Sequence, residues 1–300
     1  MKNLPFTAKG VFLILFVSLI ILCLLFFPSF FFKNTKIVFC DVGQGDAIYM
    51  RIKNKFDVVI DAGPDRKILE CLGRHMPFYD RNIELAIITH PQKDHFGGFV
   101  WVVDYYNINA FILSRLNSSS QLFQQFKQKI FEKHIKIIFV EENMVINVNN
   151  SKFTFLWPSK EFIKENMFFN FNDSENKEFV NSTTDPNLFS LIILFQENNI
   201  KALFTGDIST NILEKLVIKH NIKADIFKVP HHGSKNGLNE NILKLVDPDL
   251  SVICLGKNSY GHPSKEVLDY FKKLNKKYLR TDEHGDIVLS ISKDKIRILN

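Results

Sequence analysis

The chain has 300 residues, 46% of them hydrophobic and 23% charged, with a formal net charge of +6 at pH 7. This is the composition of a globular protein with an ample core, in one large domain or two small ones. The four cysteines show no CxxC pairing and no regular spacing, which argues against a disulfide framework and a structural zinc site and favours buried thiols at Cys40 and Cys254. The mild positive charge suits nucleic acid or an anionic membrane as a partner, but lysine-rich composition explains it equally well.

The N-terminal segment predicts a membrane anchor. Residues 11–32 form a run of 22 residues without a charge, flanked by lysines on both sides. A bilayer-spanning helix needs about 20 apolar residues. A cleaved signal peptide is the alternative, but the run has no A-x-A-like cleavage site. We expect an uncleaved single-pass anchor over residues 1–35, whose orientation the flanking lysines do not decide.

The remaining residues, 36–300, are predicted to form a single unit in which strands and helices mix. Strands are predicted at 36–41, 46–52, 56–62, 85–90, 110–114, 136–140, a hairpin over 144–157, 190–195, 201–205, 224–229, 250–255, 277–282, 286–291 and 295–299. Helices are predicted at 66–75, 96–106, 121–134, 210–219, 239–246 and 264–274. The polar segment 158–186 is predicted to be a functional loop or an insertion. This order favours two sheets covered by helices over an all-parallel sheet.

Three strand ends carry possible metal ligands. The segment "ITHPQKDHFGG" places His90, Asp94 and His95 between a strand and a helix, and "LFTGD" ends another strand at Asp207. The segment "VPHHGS" places His231 and His232 after a third strand, and one of the two suffices as a ligand. Histidine and carboxylate side chains held at strand ends are the ligands of a hydrolytic metal site. The alternative is that Asp94 and Asp207 cap helices.

Two further motifs suggest supporting roles. Asp61 in "VIDAG" could accept a hydrogen bond from a ligand histidine and so fix its tautomer, or could simply form a turn. His262 in "NSYGHPS" could lie beside the substrate, or could be a surface loop histidine.

These motifs together resemble the metallo-β-lactamase fold and, more narrowly, the C-terminal hydrolase-like domain of the ComEC competence proteins. The resemblance runs from about Phe39 to Leu289 and rests on "DVGQGDA", "IDAG", "ITHPQKDHFGG", "NLFSLIIL", "LFTGD", "VPHHGS", "GHPS" and "RTDEHGDI", in that order. It implies an α/β (α+β) fold, a four-layer αββα sandwich over residues 36–300. The anchor predicted above would precede it as one transmembrane helix. The metal site is expected at one edge of the two sheets.

The resemblance also implies two cation positions, for zinc or manganese. The first would use His90, Gln92 and Asp207, and the second Asp94, His95, Asp207 and either His231 or His232. The family usually has His or Asp where this chain has Gln92, and an amide oxygen is a weaker ligand than either. We therefore expect one tightly bound cation and a second that is weak or absent.

By the same resemblance the activity would be hydrolysis of phosphodiester bonds in single-stranded DNA. The reaction would take place outside the cytoplasmic membrane, in the context of competence. Catalytic roles fall to Asp94 and His262, and substrate contacts to Ser234, Asn258, Tyr260 and His262. Because the sequence predicts one span, DNA uptake would need a separate membrane channel protein. The alternatives are a hydrolase of another envelope phosphodiester or ester, a lactonase included, and a non-catalytic DNA-binding or assembly module with a degenerate metal site.

Overall fold

The computed structural model describes residues 8–31, 34–166 and 179–299, with the backbone alone for residues 8 and 22–31. The helices are α1 (Ala8–Phe31), α2 (Lys67–His75), α3 (Lys93–Phe96), α4 (Phe99–Tyr105), α5 (Gln121–Glu132), α6 (Lys160–Asn166), α7 (Thr210–His220), α8 (Glu240–Val246), α9 (Lys265–Lys273) and α10 (Thr281–His284). Short 3₁₀ helices lie at Pro186–Phe189 and Pro230–Gly233.

The strands that the structure describes are interspersed with these helices along the chain. They are β1 (Thr35–Phe39), β2 (Ala47–Ile52), β3 (Phe56–Ala62), β4 (Asn82–Ile83), β5 (Leu85–Ile88), β6 (Asn107–Ile108), β7 (Ala110–Leu113), β8 (Lys136–Phe139), β9 (Val145–Val148), β10 (Ser151–Trp157), β11 (Ile192–Glu197), β12 (Ile200–Phe204), β13 (Ile226–Lys228), β14 (Leu250–Ile253), β15 (Tyr278–Arg280), β16 (Ile287–Ser292) and β17 (Lys295–Ile298).

Within the described residues these strands form two large sheets and one small one. The first sheet has the order β17-β16-β1-β2-β3-β5-β7-β8, the second β15-β14-β13-β12-β11-β10-β9, and β4 pairs with β6. The antiparallel parts combine hairpins with the distant pairs β1–β16 and β10–β11. By contrast, β3, β5, β7 and β8 run parallel, as do β12 to β15. The mixed sheets match the prediction and exclude an all-parallel arrangement.

Three apolar clusters account for the layers. The first contains inward-facing residues of both sheets, such as Phe39 and Phe204, whose ring centroids are 6.3 Å apart, so it lies between the sheets. The second joins the first sheet to α2, α4 and α5, and the third joins the second sheet to α7, α8 and α9. Two sheets packed face to face, each covered outside by helices, make a four-layer αββα arrangement.

Two predicted segments are only partly described. Residues 160–166 of the predicted loop form α6, while 167–178 lie outside the described residues. The predicted anchor coincides with α1 up to Phe31, but the side chains of 22–32 lie outside the description. Among the helices that the structure describes, none has both the length and the apolar character needed to cross a bilayer.

The prediction of a buried thiol at Cys40 is wrong. Cys40, which directly follows β1, forms a disulfide with Cys71 in α2, 31 residues away. Sequence spacing could not pair them, because the contact arises only when α2 packs on the outer face of the first sheet. Cys254 is a buried free thiol, as predicted.

A half-buried carboxylate, Asp286, joins α2 to the start of β16. It accepts hydrogen bonds from the Asp41 backbone N–H (2.8 Å), Arg74 Nε (2.9 Å) and His75 Nε2 (2.8 Å). Burial by itself would raise the pKa of Asp286, but these donors lower it to about 2. The ionised carboxylate therefore stabilises the folded protein.

We expect Asp286→Asn to lower the free energy of unfolding at pH 7 by about 1–2 kcal/mol, measured by urea denaturation. The pKa is depressed in the folded state, so this contribution is present above the unfolded-state value near 4. It should be lost as the pH falls towards 2. The exposed Asp269→Asn is the matched control and should have little effect. A deficit of the same size at both pH values would instead indicate lost packing.

Candidate metal centre

The centre lies at the edge where strand ends of the two sheets meet. His90 follows β5 of the first sheet, whereas Asp207 and His232 follow β12 and β13 of the second. The carboxyl ends of parallel strands lie at one edge of a sheet, so their loops converge. Gly206 permits a close approach here: its φ is +51°, and a Cβ there would lie 3.0 Å from side-chain atoms of Thr89 and Ser190.

Four side chains form a compact donor cluster at this edge: Asp94, His95, Asp207 and His232. Each offers one ligand atom, and these atoms lie within 4.8 Å of one another. Asp207 is central, because its Oδ1 lies 3.4 Å from His95 Nε2 and its Oδ2 lies 3.4 Å from His232 Nε2. Asp94 Oδ2 lies 3.5 Å from His232 Nε2. Two carboxylates and two imidazoles at this spacing can hold a single divalent cation.

Buried atoms without partners indicate that the cluster is built for a cation. His95 Nε2, His232 Nε2 and Asp207 Oδ1 have no hydrogen-bond partner among the described residues. The other ring nitrogens are fixed, His95 Nδ1 by Asp61 Oδ2 and His232 Nδ1 by the Cys254 carbonyl, both at 2.7 Å. Such contacts set the tautomer that directs Nε2 of a ligand histidine at a metal.

The charges of the cluster depend on Asp207. Burial by itself would lower the pKa of His95 and His232, but the Asp207 carboxylate raises both well above the usual value. Burial raises the pKa of Asp207, and the two histidines hold it well below its usual range. A cation binding here would displace protons from the imidazoles, so its affinity should fall as the pH falls.

Two buried residues of the centre were missed by the sequence reasoning. Asp46 and Lys228 form an ion pair, and Lys228 Nζ also donates to the Gly206 carbonyl (2.9 Å) and lies 3.7 Å from Asp207 Oδ1. Burial opposes both charges, yet each keeps the other ionised, so the pKa of Asp46 is lowered and that of Lys228 raised. A signal existed in "GQGDA", where Gly-Asp adjoins an apolar strand as in "LFTGD".

The structure leaves three of the predicted ligands outside the four-residue cluster. His90 is fully buried, with Nδ1 3.1 Å from Thr89 Oγ1 and its ring centroid 4.1 Å from that of His95. Burial and the neighbouring His95 lower the pKa of His90 to about 3, so its imidazole is neutral. Gln92 lies on the cleft wall. His231 Nε2 is 3.9 Å from Asp207 Oδ2, at the edge of the cluster.

A cleft of about 400 Å³ opens above the cluster. Its walls are Gln44, Pro64, Gln92, Lys93, Asp94, Asp207, His231, His232, Tyr260 and His262. Tyr260 and His262, two of the four residues predicted to contact substrate, thus line this cleft.

The other two predicted substrate contacts are not on the cleft wall. Asn258 uses its amide to hold its own loop, donating to the carbonyls of Gly256 and His262, both at 2.9 Å. Ser234 is buried, and its Oγ accepts from the Asn236 backbone N–H at 3.2 Å. Both side chains satisfy backbone groups of tight turns, which takes them away from the cleft.

Comparison with known proteins identifies the fold. YhfI of Bacillus subtilis, a metallo-β-lactamase fold protein, superposes with a TM-score of 0.54 at 12% identity, over 86% of this chain and 100% of that chain. The chain has the metallo-β-lactamase fold. Zn²⁺-bound PqqB of Methylobacterium extorquens has a TM-score of 0.51 at 9% identity, over 86% of this chain and 99% of that chain.

Two curated relatives confirm the resemblance to ComEC-type proteins. ComE operon protein 3 of Bacillus subtilis is 24% identical over 286 residues, covering 89% of this chain and 34% of the relative. Recombination protein 2 of Haemophilus influenzae is 24% identical over 293 residues, covering 94% of this chain and 32% of the relative. The metallo-β-lactamase-fold chain thus spans about a third of the length of the curated relatives it matches. No protein-family model matches it.

We expect one tightly held cation per chain, because the described donors form one compact cluster and Gln92 adds only an amide. Gln92→Asp should add a second, weaker equivalent beside His90. Inductively coupled plasma mass spectrometry after dialysis against metal-free buffer measures both. Gln44→Glu, which adds the same charge to another wall of the cleft, is the control and should add none. Two tightly held equivalents in the unchanged chain would refute this assignment.

Proposed function

We propose that this chain is a metal-dependent phosphodiesterase that cleaves DNA, with single strands preferred. The observation that carries the proposal is the cluster of Asp94, His95, Asp207 and His232 on the floor of an open, polar cleft. The ComEC-type relatives support DNA as the substrate class, within a role in competence. A divalent cation, zinc or manganese, would be held by these four side chains. When bound, it would activate water and offset charge on the phosphoryl oxygens.

Asp94 is suited to orienting the attacking water. Burial by itself would raise its pKa, but the neighbouring imidazole of His232 and the charge of His95 lower it well below the usual range. Its side chain is 31% exposed, so the carboxylate can face the cluster on one side and the cleft on the other. A carboxylate held ionised so firmly directs water better than it stores a proton.

The upper cleft is suited to binding phosphate. Lys93 supplies an exposed positive charge on the wall. Burial and the neighbouring His231 and His232 lower the pKa of His262, so its ring is neutral at pH 7. Its Nδ1 has no hydrogen-bond partner among the described residues. A neutral imidazole there can donate to a phosphoryl or leaving oxygen without competing with a cation for the four donors.

The place of action that we propose is the outer side of the cytoplasmic membrane. The uncharged run at residues 11–32 supports a membrane anchor, and the Cys40–Cys71 disulfide supports an oxidising compartment. A separate membrane channel protein is the proposed partner for DNA uptake. These parts of the proposal rest on sequence character and on cysteine chemistry.

We expect Asp207→Ala and Asp94→Asn each to lower manganese- or zinc-dependent cleavage of labelled single-stranded DNA by about 100-fold or more, since even outer partners of metal ligands contribute 10–100-fold. The exposed Asp65→Asn is the control and should keep activity. Circular dichroism should confirm that each variant is folded. A panel of single-stranded DNA, double-stranded DNA and bis(p-nitrophenyl) phosphate defines the substrate. Variants that cut DNA as well as the parent would refute the proposal, and cleavage of the small diester alone would favour an envelope phosphodiester.

A cysteine count tests the compartment. Two of the four cysteines form the disulfide, so the full chain isolated from cells and unfolded without reductant should alkylate only at Cys23 and Cys254. The same chain without residues 1–35, retained in a reducing cytoplasm, should alkylate at Cys40, Cys71 and Cys254. Mass spectrometry of the peptides gives both results. A full chain with Cys40 and Cys71 reactive would place the domain in a reducing compartment.

A further inference from the structure

A second groove, separate from the metal centre, lies between α2 and α4. Its volume is about 490 Å³, and its walls include Arg66, Arg81, Trp101, Tyr105 and Tyr106, with Glu70 as an acidic lining residue. Two of these aromatic rings are unusually accessible, because Trp101 is 43% exposed and Tyr105 is 63% exposed. They are four residues apart on α4, so they lie on one face of the helix, one turn apart.

The charge of the groove is positive. The guanidinium of Arg81 lies 5.2 Å from the centroid of the Tyr106 ring, and its Nη1 donates to the Tyr106 hydroxyl at 3.1 Å. Among the described residues, no carboxylate lies within ion-pair distance of Arg66 or Arg81. Two arginines against one glutamate leave a net positive charge beside exposed rings.

Basic side chains connect this groove to the metal-site cleft. Pro64 lines the cleft and Arg66 lines the groove, only two residues later. Lys67 directly follows Arg66, and its Nζ lies about 3.4 Å from the position that a Cβ on Gly43 would occupy, next to the cleft-wall residue Gln44. The nearby Asp65 carboxylate accepts from the Lys67 backbone N–H at 2.9 Å, so its charge is partly satisfied within the turn. Lys93 on the cleft wall, Lys67 at the start of α2, and Arg66 and Arg81 on the groove wall are thus all basic.

We propose that the groove binds the strand of a single-stranded nucleic acid whose phosphodiester lies in the metal-site cleft. Exposed rings spaced along a basic groove suit bases that stack while arginines contact phosphates. Paired bases of a duplex could not reach Trp101 and Tyr105, so the groove selects single strands. A concave wall also fits a flexible chain better than it fits the flat surface of a bilayer. This inference deepens the proposed function, on which the link to cleavage rests.

Binding is tested on the full chain in chelator, where no cleavage occurs. We expect Trp101→Ala and Tyr105→Ala each to weaken the binding of a fluorescein-labelled oligothymidylate by roughly 10-fold in anisotropy titrations, as expected for loss of a stacked base. Arg66→Gln and Arg81→Gln should each reduce the salt dependence of binding by about one phosphate contact. Phe131→Ala, an exposed aromatic of α5 outside the groove, is the matched control and should bind as the parent does.

Stacking itself has a spectroscopic readout. In a Trp157→Phe background Trp101 is the sole tryptophan, and the oligothymidylate should quench its fluorescence. Parent-like affinity in Trp101→Ala and Tyr105→Ala would overturn the proposal. Equal competition by duplex DNA would also overturn it. The same holds if these variants lose only their binding to phosphatidylglycerol vesicles.

Different results would refute the proposed role of the groove and the proposed catalytic activity. Groove variants should hydrolyse bis(p-nitrophenyl) phosphate at the parent rate in the presence of the cation. If an oligothymidylate binds through Trp101 but is never cut, the proposed nuclease activity is refuted and the proposed role of the groove stands. DNA cut with the same Michaelis constant by the parent and Trp101→Ala would refute the groove alone.

Discussion

The candidate site depends on one carboxylate that belongs to both halves of the protein. Asp207 follows a strand of the second sheet, yet its Oδ1 lies 3.4 Å from His95, which the first sheet positions. Its Oδ2 lies 3.4 Å from His232 of its own sheet. The two sheets must therefore pack at a fixed separation for the donors to meet, and the apolar cluster between them determines that separation. A loosened core would therefore first displace one of the ligand side chains.

The negative charge gathered at this edge needs compensation, and a buried lysine provides part of it. Asp46, Asp61 and Asp207 are each at most 2% exposed. Lys228 neutralises Asp46 and lies near Asp207, while Asp61 is held by Thr89 and His95. Removing one member of a buried charge network leaves another uncompensated, which is costly. Lys228 thus belongs to the electrostatic frame of the centre, although it carries no ligand atom for a cation.

The sequence was a good guide wherever a signal was local. Apolar periodicity located most helices and strands, and the strand-end motifs led to all four residues of the cluster. The sequence could not choose between His231 and His232, because their backbone conformations, with φ of 51° and 52°, appear only in the fold. Nor could it find Lys228, since a lysine in an apolar run gives no sign of its partner Asp46, 182 residues earlier. Asn258 and Ser234 lie off the cleft wall because turn geometry, which the sequence does not show, decides where their side chains point.

The difference between local and tertiary signals also explains why the sequence did not predict the disulfide. Pairing of Cys40 with Cys71 is a tertiary fact, fixed by how α2 lies on the first sheet. That covalent link fastens the N-terminal sheet to the helix that supplies one wall of the second groove. A preparation made under reducing conditions would hold this wall by packing, by Asp286 and by the hydrogen bond from Lys36 Nζ to the His75 carbonyl. The redox history of a sample would therefore alter how firmly this wall of the second groove is held, while leaving the four-residue donor cluster itself untouched.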